Sequence, residues 1–263
     1  MEISKEETVP IRGAAKSEVG KVRLKNEDTF GFFPGTSFYV VADGMGGHAG
    51  GEIASQLAVE TMHTSLQETK DEDLTPILDA EGRSSLAGRR LLIAAERANG
   101  EILGASRQKV ELNGMGTTIA AMLFEEHGRQ ASICHVGDSR VYRVRERQID
   151  QLTEDHSLIQ QLIREGKISL QEAKTSPHRH VLTQALGIGP EVHPAVRIET
   201  ANPGDVFILC SDGVHGVVEA GEMLETVTHA ANDLRTVCDT LLNLANNRGG
   251  PDNCTVVVLQ YEQ

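Results

Sequence analysis

Basic residues are scarce. Lys and Arg number 25 against 38 Asp and Glu, a formal net charge of −13. Phosphate backbones and anionic membranes are bound through Lys and Arg, so neither nucleic acid nor membrane is an expected partner. The ordinary effect of such a charge is solubility. Cysteine is also sparse. Cys134, Cys210, Cys238 and Cys254 form no C-x-x-C pair, and Cys134, Cys210 and Cys254 lie in apolar, strand-like runs. Free buried thiols in a reducing compartment fit them better than a disulfide or zinc framework. No apolar run approaches the about 20 residues that span a bilayer. The opening MEISKEETVP is polar and lacks the pattern of a secretory signal. A cytoplasmic location is the expectation. Internal repeats and low-complexity tracts are absent too.

The 263 residues suit one hydrophobic core near its upper size. A single domain over 1–263 is expected, with residues 1–9 loose. Strand-like runs fall at about 11–15, 28–33, 38–42, 117–124, 130–136, 140–145, 205–210 and 253–261. Helical patterns cover roughly 51–68, 84–108, 158–165, 220–229 and 234–246. The three middle strands follow one another across the short breaks EEHG and GDS, which predicts antiparallel hairpins. Grouped strands and grouped helices predict an α+β fold, with antiparallel sheets layered by helices. Residues 153–187, broken by Gly166 and Pro177, read as a flap over one end of the sheets. The acidic stretch 69–82 reads as a surface connection.

What the chain does have is acid at strand ends. In FYVVADGMGGHAGGEIAS an apolar run stops at Asp43, and glycines follow. VFILCSDGV repeats the pattern at Asp212. Asp252 precedes a strand in GGPDNCTVVVL, and Asp138 lies in the turn of ICHVGDSRVY. Arg23, Glu27 and Asp28 precede another strand. One Asp-Gly alone is usually a turn or a helix cap. Four acids placed alike argue for a shared rim. Carboxylates crowded on a half-buried rim repel, and few cations lie nearby in sequence, Arg23 and Arg140 being adjacent. Mg²⁺ or Mn²⁺ would relieve the repulsion, since both favour oxygen ligands. Gly44 would let the backbone approach an ion, and the bend after Asp43 would call for positive φ.

The blocks RLKNED, VVADGMGGHAGGEIAS, GMGTTIAA, HVGDSRVYR, LTEDHS, VLTQALG, LCSDGV and PDNCTVVV resemble, in order, the metal-dependent serine/threonine protein phosphatases of type 2C, in their bacterial form. The resemblance runs from about residue 11 to 261. It implies a central sandwich of two antiparallel β-sheets flanked by helices. It implies two Mn²⁺ or Mg²⁺ ions, bridged by Asp43 and held by the Gly44 carbonyl, Asp212 and Asp252. Asp138 would join Asp212 at a weaker third ion. Glu27 would act through ion-bound water, with Asp28 and Asn253 behind the ligands, and Arg23 would grip the phosphate. Many eukaryotic members carry histidine directly after the bridging Asp-Gly. Here Met45 stands there and His48 follows, so His48 is the candidate proton donor, with bound water as the alternative. The implied reaction is hydrolysis of phosphoserine or phosphothreonine by a metal-activated water, with no covalent intermediate. The expected partners are phosphorylated proteins, targets of a serine/threonine kinase, met by a monomer.

Three rival readings are weighed. Gly44 to Ala49 satisfies a G-x-G-x-x-A dinucleotide pattern, but no βαβ unit follows. Ser139, Asp212 and His215 mimic the Gly-Asp-Ser and Asp-x-x-His blocks of a serine esterase, out of context. A phosphatase-like module that binds phosphoproteins without activity is the third, and the complete set of acids disfavours it. Among other residues, His135 reads as a satisfied core histidine, and His156, His178 and His180 as flap or surface. Thr117 and Thr118 read as strand formers, and Glu125 and Glu126 as solvated.

Overall fold

The computed structural model describes residues 11–46, 50–79, 81–125, 129–178, 180–230 and 233–262. In chain order its elements are β1 (Ile11–Glu18), β2 (Asp28–Phe33), β3 (Phe38–Met45) and α1 (Gly50–Glu68). A short pair, β4 (Ile77–Leu78) and β5 (Ser84–Ser85), precedes α2 (Leu86–Gln108) and β6 (Gly116–Thr117). Then come β7 (Ile119–Phe124), β8 (Gln130–Val136), β9 (Arg140–Arg145) and β10 (Gln148–Gln151). Residues 153–187 carry α3 (Leu158–Arg164) and α4 (Leu170–Thr175). Last are β11 (Ala195–Thr200), β12 (Val206–Cys210), α5 (Asp212–His215), α6 (Ala220–His229), α7 (Leu234–Asn247) and β13 (Cys254–Tyr261).

Two antiparallel sheets result, in the orders β1-β13-β12-β9-β10 and β11-β8-β7-β3-β2, with β6 added at the end of β3. Strand side chains alternate between faces, so each central strand feeds two cores. In β3, Phe38, Val40 and Ala42 pack on α1 and α2. Tyr39 and Val41 point into the space between the sheets. β12 divides in the same way: Ile208 and Cys210 face α6 and α7, and Phe207 and Leu209 face inward. The inner layer also takes Phe124 and Tyr261, and the Phe124 and Phe207 rings meet edge to face at 5.9 Å. The expected helix–sheet–sheet–helix layering is therefore present.

Three expectations need correction. The GDS segment is not a hairpin turn. β8 pairs with β7 and β11, and β9 pairs with β12 and β10. Residues 137–139 thus carry the chain from one sheet to the other, with Gly137 at φ +97°, and this leaves Asp138 on the rim between the sheets. Second, β3 does not stop at Asp43. It continues to Met45, pairing Gly44 with Thr117, and the positive φ falls at Gly46, not at Gly44. Third, β10 and β11 lie on sheet edges where no strand is expected from the sequence.

Candidate metal centre

The rim at one end of the sandwich encloses a pocket of about 700 Å³, whose walls include Arg23, Glu27, Asp43, Asp138, Asp212 and Asp252. Each acid arrives on a different element. Asp43 is near the end of β3, Asp138 is on the crossover, Asp212 opens α5 and Asp252 precedes β13. Gly44, Thr118, His180 and Asn253 also line this pocket. A slightly larger cavity, about 760 Å³, opens by Leu66, Leu86, Phe124 and Gln130. It lies at the opposite ends of β3 and β7, away from the converged acids.

The acids resist ionisation. Burial, then the charges of Asp28, Asp212, Asp138 and Asp252, push the Asp43 carboxyl well above the usual carboxylate range. Burial, followed by Asp212, lifts Asp138 to about 7. Asp28 is also raised to about 7, chiefly by burial. Asp212 is raised by burial and then by Asp252, and Glu27 chiefly by burial. The first four of these carboxyls are at most half exposed, opening into the pocket or enclosed behind it. The strand register sharpens the conflict, because Asp28 and Asp43 sit directly opposite each other in the β2–β3 ladder.

Little cation is present to settle this. Arg23 reaches Asp252, with Nη2 to Oδ2 at 2.6 Å. Arg140, the other basic residue near the rim in sequence, is committed elsewhere. It grips Asp155 through two hydrogen bonds of 2.8 and 2.7 Å and also donates to the Tyr142 hydroxyl. His180 Nδ1 stands 4.0 Å from Asp212 Oδ2. Oδ1 of Asp212 and Oδ1 of Asp28 are buried without a hydrogen-bond partner among the described residues. Buried orphan oxygens are costly unless something completes them.

Neutral groups hold the acids in place. Thr118 Oγ1 accepts from the Asp43 backbone N–H at 3.2 Å and pairs with Ser139 Oγ at 2.7 Å. Thr117 Oγ1 donates to the Asp43 carbonyl at 2.9 Å. Ser211 Oγ donates to Asp28 Oδ2 at 2.8 Å. Asn253 works behind the rim. Its Oδ1 accepts from the Glu27 N–H, and its Nδ2 donates to the carbonyls of Val19 and Lys25. Thr117, Thr118 and Ser211 therefore position acids, a role their residue types alone do not signal. Gly44 packs so tightly that a Cβ there would meet the Gly51 carbonyl oxygen at 2.1 Å. A close backbone approach, not a bend, is what demands glycine.

Other expected residues fall as follows. His48 lies outside the described residues, as does Glu126. The esterase constellation is not assembled: Ser139 Oγ is engaged by Thr118, and His215 Nε2 bonds the Asp138 carbonyl at 2.9 Å. The dinucleotide reading fails with it, since β3 pairs antiparallel with β2, β6 and β7. His135 is a satisfied core histidine, bonded to the Glu154 carbonyl at 2.7 Å. Glu125 is half-buried and accepts from Ser85 Oγ, so it is not simply solvated.

The residues fit a pair of hard cations. The donors are carboxylate and carbonyl oxygens, Asp212 Oδ1 among them without a partner, around a cradle that only glycine allows. No group of three or more carboxylates, imidazoles or thiolates is already drawn into one closed ligand set among the described residues. Carboxyls that repel each other stay apart until a cation offsets the repulsion, and Asp252 is turned to Arg23.

Residues 18–249 match the family model described as Protein phosphatase 2C. The chain belongs to the protein phosphatase 2C family. Among its relatives, the serine/threonine protein phosphatase PstP of Mycobacterium tuberculosis is 37% identical over 251 residues, 95% of this chain and 45% of that protein. The serine/threonine phosphatase stp of Listeria monocytogenes is 35% identical over 250 residues, 94% of each. The chain thus spans about half the length of the mycobacterial relative and nearly all of the listerial one. Among solved structures, that of the M. tuberculosis phosphatase PstP/Ppp superposes with a TM-score of 0.84 at 34% identity, covering 96% of this chain and 99% of that one. A second, the catalytic domain of PstP in complex with two manganese ions, gives 0.81 at 34% identity, with 96% and 99% covered. The two-sheet sandwich is accordingly a protein phosphatase 2C fold. No helix among the described residues is long and apolar enough to cross a membrane.

Proposed function

We propose that this protein removes phosphate from phosphoserine and phosphothreonine in proteins, using two divalent cations. The observation that carries the reading is the meeting of Asp43, Asp138, Asp212 and Asp252 with Arg23 in one pocket. It is supported by a family whose relatives are named serine/threonine phosphatases and by one relative solved with two manganese ions.

In this reading Asp43, the Gly44 carbonyl, Asp212 and Asp252 hold the two ions, and Asp138 with Asp212 provides for a third. Bound Mn²⁺ or Mg²⁺ supplies the Lewis acidity that activates water and the positive charge that balances the phosphoryl oxygens. Arg23 exchanges Asp252 for the substrate. Its planar fork can donate two hydrogen bonds to the phosphoryl group and orient it for in-line attack. Glu27, fixed through its own N–H by Asn253, would support the site through ion-bound water at the rim. His48 is the proposed donor to the leaving oxygen. The reading calls for no covalent intermediate, and neither the four thiols nor Ser139 is poised as a nucleophile. Burial pushes the thiols of Cys134, Cys210, Cys238 and Cys254 up to about 12, and Ser139 is tied to Thr118. The expected substrates are phosphorylated products of a serine/threonine kinase, met in the cytoplasm by a monomer.

The test is a chelator and add-back assay on a phosphothreonine peptide, with wild type and Asp252→Asn. Activity should vanish with chelator and return with Mn²⁺. Asp252→Asn should lose at least 100-fold in kcat/KM while keeping its circular dichroism. Wild-type turnover by the variant at saturating Mn²⁺ removes the metal assignment. Tight phosphopeptide binding by wild type, with no Mn²⁺-dependent hydrolysis of any phosphoester, replaces the enzyme with a binding module.

A further inference from the structure

Arg23, on the wall of the pocket, sits in an exposed segment whose other side chains neither folding nor chemistry requires. Residues 21–25 read Lys-Val-Arg-Leu-Lys, and all five are exposed. Leu24 is 99% exposed and Val22 65%. A single exposed leucine is unremarkable. Here two exposed apolar side chains flank Arg23 on either side, with a lysine beyond each. This is also a dense run of positive charge in a chain whose net charge is −13.

The loop is a rigid fixture. The N–H groups of Lys21 and Val22 both donate to the Gly250 carbonyl, at 2.9 and 3.2 Å. Asn253 Nδ2 ties the two feet together by donating to the carbonyls of Val19 and Lys25, at 2.9 and 2.8 Å. Gly20, at φ +79°, sits where a Cβ would strike the Asp252 carbonyl oxygen at 2.2 Å. The backbone that displays Val22 and Leu24 is thereby fastened to the segment that carries Asp252.

We propose that residues 21–25 form a substrate-reading edge that favours phosphorylated sites with an apolar residue beside the phosphoresidue and an acidic residue within a few positions. The proposal rests on the phosphatase reading of the same pocket. Consecutive Cα atoms are about 3.8 Å apart. A peptide that sets its phosphoryl group against Arg23 brings its neighbouring residues within reach of Val22 and Leu24, the exposed residues on either side of that arginine. Apolar neighbours there remove water from both surfaces. Acidic neighbours find Lys21 and Lys25, whereas basic neighbours meet like charge at the same place.

The experiment compares three substrates at saturating Mn²⁺: p-nitrophenyl phosphate, a phosphothreonine peptide with leucine and glutamate flanks, and the same peptide with glycine and lysine flanks. The proteins are wild type, Val22→Ser/Leu24→Ser and Lys21→Ala/Lys25→Ala. Wild type should favour the leucine–glutamate peptide at least tenfold in kcat/KM. Each double variant should cut that preference to threefold or less, through KM, and leave p-nitrophenyl phosphate within twofold of wild type. Equal wild-type efficiency on the two peptides overturns the proposal and leaves the phosphatase reading intact. So does a loss in the variants that is proportionate on all three substrates. Absence of Mn²⁺-dependent hydrolysis of any of the three overturns both.

Discussion

Asp138 offers the sharpest test of why the rim acids are there. Its carboxyl is lifted from the usual 3.8 to about 7, by burial first, then by Asp212 and Asp155, against the opposing pull of Arg140. The folded protein therefore holds a proton that the unfolded chain releases. Stability is lost as pH climbs from 3.8 towards 7, and the full penalty applies above 7. A gap of about three pH units at about 1.36 kcal/mol each gives roughly 4 kcal/mol at pH 7.5, falling to roughly 2 kcal/mol at pH 5. Asp138→Asn keeps the shape and removes the charge. In chelator, the variant should exceed wild type in unfolding free energy by about those amounts. Half-buried His156 and His215, pulled down to about 4 and about 3 chiefly by desolvation, weaken the fold in acid. They do so in both proteins and cancel in the difference. Urea denaturation at pH 5 and 7.5 reads the two gaps. Saturating Mn²⁺ should then remove the variant's advantage, because the cation offsets the charge that asparagine lacks. The reasoning is refuted if Asp138→Asn gains nothing at pH 7.5, or if its gain is the same at both pH values.

Two further substitutions probe the scaffold. Gly213→Ala places a Cβ 1.9 Å from the Asn253 carbonyl oxygen and should cost at least about 2 kcal/mol. Gly221→Ala, in the open first turn of α6 where a Cβ meets nothing within 4 Å, should instead stabilise by about 0.5 to 1 kcal/mol in thermal unfolding. Thr118→Val removes the acceptor for the Asp43 N–H and the partner of Ser139. It should cost about 1 to 3 kcal/mol and weaken Mn²⁺ binding by calorimetry, and Thr118→Ser should restore both.

Residue pattern makes the central strands legible and the edges obscure. β3, β7, β12 and β13 are buried on both faces and read as continuous apolar runs. β10 is the polar QIDQ, joined to β9 through Glu146 and Arg147. Both of those residues adopt positive φ, without the Asn-Gly signature that usually announces such a turn. β11, AVRIET, exposes part of its length on the sheet edge and mixes charge into the run. The acids of the centre were visible because aspartate at the end of an apolar strand is anomalous. Thr117, Thr118 and Ser211 were not, because a hydroxyl that positions an acid looks like any strand or cap residue. Arg140 misled for the same reason: its proximity in sequence to Asp138 says nothing of Asp155, which takes it.

The β2–β3 register carries the deeper argument. Asp28 and Asp43 face each other across the ladder, where like charges destabilise a sheet. If these positions served the fold, the cheapest solutions would be a neutral amide or a cationic partner. Neither is found. Among the described residues Asp28 takes a serine hydroxyl on Oδ2 and leaves Oδ1 without a hydrogen-bond partner, and the Asp43 backbone is held by Thr117 and Thr118. The chain secures the positions of these acids and leaves their charge uncompensated. Such an arrangement is stable when a divalent cation completes it, which is why stability and phosphatase chemistry should respond to the same metal titration.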